Sequence, residues 1–233
     1  MMNSSTVDRC LGLVGGVGVG AAVHYYQQLA QAYEKRESPL RLLMAHADMR
    51  RGVRYVEAGD RAGLAEYLCS LIEQMRAGGA EIAAVPAVTP HICRHELKAI
   101  SPLPLVDILE AVAAEVRSAG YRRVALFGTR FTIQGSFFGA LDGVEVVMPR
   151  PEEVDAIHAA YFGMASSGAG TREQYETLTQ IAHTLCKRDK VESVLLAGTD
   201  LALIFNEHTT TFPYVDCGAV HIRAILSELM LGR

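Results

Sequence analysis

Two short segments carry the residues that could do chemistry. Val85-Pro86-Ala87-Val88-Thr89-Pro90-His91 and Leu196-Ala197-Gly198-Thr199-Asp200 each follow an apolar run and each bring a small residue and a threonine to its end. Hydroxyl, imidazole and carboxyl groups at the end of a buried run can hold a small anion or move a proton. Ala87 and Gly198 lie 111 positions apart, and a second pair, Leu13-Val14-Gly15-Gly16 and Leu126-Phe127-Gly128-Thr129, repeats at an offset of 113. Two half-chains of one plan predict two similar subdomains with a site shared between them.

In this order the four segments resemble the aspartate/glutamate racemase superfamily over nearly the whole chain. The family's Pro-Cys-Asn-Thr-x-His reads here Pro86, Ala87, Val88, Thr89, Pro90, His91, and its Gly-Cys-Thr-Glu reads Ala197, Gly198, Thr199, Asp200. The resemblance implies an α/β fold of two similar subdomains, each a parallel sheet flanked by helices, with the site in the cleft between them. It also implies a first subdomain of residues 1–98 plus 207–233, a second of 99–206, a homodimer, and chemistry at the α-carbon of a small amino or carboxylic acid without a cofactor.

Both family cysteines are replaced, by Ala87 and Gly198. Inversion through a planar carbanion needs a base on one face and a proton donor on the other, and neither replacement has an ionisable group. Two-thiol racemisation is therefore not expected. Cys93, six residues beyond Ala87, reads as a buried helix residue.

The remaining polar groups give the expected site. His91 and Asp200 are the candidate acid/base pair, one from each half. Thr89 and Thr199 are expected to donate to one carboxylate, with Thr129 and Thr132 as a third hydroxyl-bearing strand end; such hydroxyls also serve as helix caps. Arg51 or Arg54, read in a loop after the second strand, could grip a distal carboxylate by a two-pronged bond. Gly16, Gly18 and Ala21 satisfy the G-x-G-x-x-A dinucleotide pattern, but its acidic partner is poorly placed, the nearest strand-end carboxylate being Asp48. The competing reading lets the backbone at Gly16 approach a small anion at a helix start, as the racemases' Gly-Gly-x-Gly turn does. His46, His95, His158, His183, His208 and His221 share no ligand spacing and read as surface or core residues.

Positioning these groups requires alternating strands and helices. Residues 10–14, 41–45, 81–85, 123–127, 144–148 and 193–197 read as buried strands, and 21–35, 64–77, 108–119, 151–165, 171–187 and 219–231 as helices with apolar residues at three-and-four spacing. That alternation predicts parallel sheets covered on both faces, whose ligands gather at the carboxyl ends of the strands.

Composition narrows the partners. A net charge of −4 over 233 residues gives no basic face for nucleic acid. Five cysteines without metal-ligand spacing argue against a disulfide framework or a zinc site, and no metal or other cofactor is expected. The Gly-rich apolar stretch 11–23 is too short to span a bilayer, so a cytoplasmic protein without membrane contact is expected. Two functions stay open: an enzyme that isomerises, decarboxylates or eliminates without thiols, and a catalytically silent binder of a small carboxylic acid.

Overall fold

The computed structural model describes residues 8–230, so Leu231, the expected end of the last helix, lies outside the described residues. One sheet contains β1 (Leu11–Gly15), β2 (Leu42–His46), β3 (Ile82–Ala84) and β4 (Leu105–Val106), in the order β2-β1-β3-β4. The other contains β5 (Arg123–Phe127), β6 (Glu145–Val147), β7 (Ser193–Leu196) and β8 (Tyr214–Asp216), in the order β6-β5-β7-β8. Every pairing is parallel. The second sheet is the first one repeated.

The central strands are buried along their length, as parallel strands covered on both faces must be. β4 and β8 span two and three residues. Runs that short carry no period, and neither was expected. The six strands that were expected fall within a residue or two of their predicted ends.

The covering helices are α1 (Val19–Glu34), α2 (Met49–Glu57), α3 (Arg61–Ala77), α4 (Arg94–Ile100), α5 (Ile108–Ser118), α6 (Arg130–Gln134), α7 (Pro151–Ser167), α8 (Arg172–Arg188) and α9 (Cys217–Met230). α2 corrects an expectation: residues 49–57 are helical, not a loop. The Asp48 side chain starts this helix by accepting from the Arg50 and Arg51 amides, and Met49, Gly52, Val53 and Val56 share one face.

The halves exchange their last helices. α5 follows β4 of the first sheet, yet its Ile108, Leu109 and Val112 pack in the core of the second. α9 follows β8 of the second sheet and returns Ile222, Ile225 and Leu229 to Leu11, Leu13, Tyr25 and Leu29 of the first. The fifth position of each helix is fully buried, as Val112 in α5 and His221 in α9. His221 donates from Nε2 to the Val106 carbonyl at 2.9 Å, and its Nδ1 accepts from the Tyr25 hydroxyl at 3.0 Å. Complete burial pushes its pKa down to about 3, so the imidazole is neutral and bonded at both nitrogens.

Candidate functional site

The exchange brings the strand ends of each half against the other half, making two reciprocal cradles. In the first, the chain leaves β3 through Ala87 and enters a 3-10 turn, Thr89–Cys93. There the Thr89 hydroxyl meets Thr129 at 2.8 Å and Thr132 at 3.2 Å, and these two lie 3.1 Å apart. Thr129 caps α6, its hydroxyl accepting from the Thr132 amide. Three hydroxyls hold three hydrogens among them, and an incoming carboxylate can take any that turns outward.

The second cradle is built the same way from opposite parts. The chain leaves β7 through Gly198 and enters a 3-10 turn, Thr199–Leu203, that faces the start of α1. Here the anion is the protein's own: Asp200 Oδ1 accepts from the Ala21 amide at 2.8 Å, and Oδ2 accepts from the Tyr161 hydroxyl at 3.4 Å. A side chain at Gly18 or Gly20 would strike this carboxylate. The glycines therefore admit an internal anion to a helix start, where the dinucleotide reading places a pyrophosphate. Burial raises the Asp200 pKa, against the bonds from Ala21 and Tyr161 that lower it. Burial, with Asp200 beside it, holds the Tyr161 hydroxyl well above its usual range.

The cradles differ in what stands over the small residue. Ala87 opens on a cavity of about 80 Å³, walled by Met49, Gly52, Val53 and Val56 of α2, Leu64, Tyr67 and Leu68 of α3, and His158, Tyr161, Phe162 and Ala165 of α7. All three helices present an i, i+3, i+4 face to it. Val17, Thr89, Pro90, Thr129 and Phe131 complete the lining, which includes neither lysine nor arginine. Over Gly198, by contrast, lies the Tyr161 ring, which a Cβ at that position would penetrate. One strand end is open and the other is plugged.

The expected site residues divide accordingly. Thr89, Thr129 and Thr132 come together, the first two on the cavity wall. Thr199 is buried and donates to the Pro86 carbonyl at 2.9 Å, which ties the strand ends of the two halves but separates it from the threonine trio. Asp200 reaches the cavity only through Tyr161. His91 is turned away: its Nδ1 donates to the Ala87 carbonyl at 2.8 Å, and its neighbours are Asp107, Arg94 and Lys98. Burial lowers its pKa, and the structure does not bring it to Asp200. Gly16 has φ +83 and packs on Ala47. Arg51 lies with its guanidinium 4.4 Å from the Tyr67 ring centroid, outside the cavity lining.

Sequence reasoning missed Tyr161 and His158. His158 is neither core nor free surface: it lines the cavity, its Nδ1 accepting from the Arg130 amide at 3.3 Å, and burial, then Arg130, lowers its pKa. The spacing of His158, Tyr161, Phe162 and Ala165 on α7 was visible, but it is also the spacing of any core-facing helix. Cys93 is fully buried, its thiol donating to the Pro90 carbonyl and pushed up to about 12 by burial.

Among the described residues there is no cluster of three or more His, Cys, Asp or Glu able to hold a metal ion, and no helix long and apolar enough to cross a membrane. The two like sheets and the paired strand ends define an α/β protein of two similar halves with a cavity between them. Residues 14–225 match the Asp/Glu/hydantoin racemase family, and the chain belongs to it. A Yersinia pestis protein put forward as an Asp/Glu racemase is 23% identical, with TM-score 0.80 over 95% of this chain and 99% of that one. An aspartate racemase homologue from Pyrococcus horikoshii is 22% identical, with TM-score 0.77 over the same shares. An arylmalonate decarboxylase is 14% identical, with TM-score 0.52 over 94% of this chain and 92% of that one. The two-sheet architecture is common to all three.

Proposed function

We propose that the protein acts without a cofactor at the α-carbon of a small carboxylic acid bearing an apolar or aromatic substituent, using hydroxyl and carboxyl groups in place of a thiol pair. The observation that carries this reading is the cavity over Ala87: apolar helix faces on three sides, the threonine hydroxyls at one edge, and the Tyr161–Asp200 pair at another. The hydroxyls of Thr89 and Thr129 suit a single carboxylate. A second one, as on aspartate or glutamate, would lie against apolar walls with no cationic side chain among them, at a cost of several kcal/mol.

The one-sided site suits a reaction that needs one proton donor. Loss of carbon dioxide leaves the electron pair of the broken C–C bond on the α-carbon, and the Tyr161 phenol stands at the wall to give that carbon its proton, with Asp200 behind it to hold the hydroxyl in place. That an arylmalonate decarboxylase has this fold makes decarboxylation a reaction to test here.

The test is incubation in D2O with 2-aryl and 2-alkyl malonates and propionates beside aspartate and glutamate, read by proton NMR. Carbon dioxide release or deuterium at the α-carbon is expected for an apolar-substituted acid and not for the two amino acids. Tyr161→Phe should abolish it while changing affinity little. A binder without catalysis is the second reading, favoured by the fact that the Tyr161 hydroxyl and both Asp200 oxygens already have partners. Saturable binding with neither exchange nor product would establish it.

A further inference from the structure

Beyond Phe131 the surface opens into a second groove, whose lining includes none of the threonine trio. Two adjoining hollows of about 380 and 280 Å³ share Arg94, His95, Phe138 and Gly139. Phe131 lines both the larger hollow and the apolar cavity. Three arginines line the groove from three elements: Arg61 opens α3, Arg94 opens α4, and Arg117 lies in the last turn of α5. His91 and His95 add imidazoles, and Glu110 is the one carboxylate among the described lining residues.

These cations are not equally occupied. Arg94 is held in place, with Nη2 3.1 Å from Glu110 and Nε 3.5 Å from Asp107, and its side chain is only 15% exposed. Lys98 takes up the same two carboxylates at 2.6 and 3.1 Å. Arg61 and Arg117 have no ion-pair partner among the described residues. Arg94 and Lys98 thus share the two carboxylates, and Arg61 and Arg117 bring unpaired positive charge to the groove lining.

Phe138 and Gly139 bring a strained turn to the lining. Ser136, Phe137, Phe138 and Gly139 follow one another at φ 47, 56, 54 and 72, a left-handed turn in which three of the four residues carry a side chain. Each such residue costs about 1 kcal/mol or more, so the turn persists because Phe137 is fully buried and Phe138 packs on the same core. Strain of this kind is retained where a wall has to be shaped.

We propose that this groove is a separate binding site for an oxyanion, the carboxylate or phosphate group of a small molecule, gripped by Arg61 and Arg117 around the fixed guanidinium of Arg94. Planar guanidinium forks match both anions, and two of the three are free to turn onto a ligand. Neither Arg61 nor Arg117 lines the apolar cavity, so the fate of this proposal is independent of the chemistry assigned there.

The test is calorimetric titration of the full chain with inorganic phosphate and, separately, with citrate, at constant ionic strength. Saturable binding of at least one probe is expected, weakened about fivefold or more by Arg61→Gln and by Arg117→Gln. Arg76→Gln, at the far end of α3, should leave it within about twofold. Response to phosphate alone or to citrate alone tells which oxyanion the site takes. No saturable binding, or any other pattern across the three variants, overturns the proposal.

Discussion

The two cradles are made of equivalent parts and have opposite contents. Each sets a 3-10 turn after one sheet's third strand against the helix that follows the other sheet's first strand. In the first, three neutral hydroxyls face each other beside an apolar cavity. In the second, a buried carboxylate sits on the helix start and an aromatic ring fills the space over the small residue. The lesson is that approximate twofold symmetry of the chain need not give a symmetric site. A ligand over Ala87 has one open strand end beside it, where two-base inversion would need two.

The comparison breaks most severely at Asp200. Asp200→Ala would leave the Ala21 amide and the Tyr161 hydroxyl without their acceptor in a buried site, at about 1–3 kcal/mol for each unpaired group. Urea unfolding should show a loss of about 3 kcal/mol, and the cavity beside Tyr161 should loosen with it. A loss under about 1 kcal/mol would mean that the carboxylate is not what joins the Thr199–Leu203 turn to α1, and the second cradle would then lose its defining contact.

Adding one heavy atom to the small residue of each cradle sharpens the contrast. Gly198→Ala drives a Cβ into the Tyr161 ring, and overpacking of this kind costs about 1–3 kcal/mol. Ala87→Ser adds one atom toward the open cavity and should change the midpoint of unfolding little. Tyr161→Ala should remove most of the penalty of Gly198→Ala, because the obstructing ring is gone. Equal penalties at 87 and 198 in thermal unfolding would show that the two cradles are equally filled.

Much of this architecture was legible in the sequence, and the illegible part has a physical cause. The offset segments announced two like halves, and the apolar runs announced the six longer strands, because those signals are local. Helix exchange was given by the resemblance alone: nothing in the composition of residues 108–118 or 217–230 says which core they will join. All four threonines were singled out, with Thr89 paired to Thr199, yet the structure joins Thr89 to Thr129 and Thr132 and ties Thr199 to the Pro86 carbonyl. The plug over Gly198 was invisible, since a glycine and a tyrosine 37 positions away complement one another only in space.

The smallest effect belongs to the open cradle. Thr89→Val keeps the side chain's shape and removes the hydroxyl that meets both Thr129 and Thr132. Those two remain 3.1 Å apart, and Thr129 still accepts from the Thr132 amide, so no buried group is stranded. Stability should fall by about 0.5–1.5 kcal/mol, the net worth of a neutral hydrogen bond. The change should be felt more in ligand binding than in folding if a carboxylate docks there, because a bond to a charged acceptor is worth about 1.5–3 kcal/mol. The two measurements, urea unfolding and calorimetric titration with an acid found in the D2O screen, should therefore diverge for Thr89→Val. For Thr199→Val they should run the other way: that hydroxyl serves the Pro86 carbonyl from a buried position, so its loss should cost stability and leave affinity nearly unchanged. Equal losses of affinity in the two variants would restore a symmetric site in which both threonines hold one carboxylate.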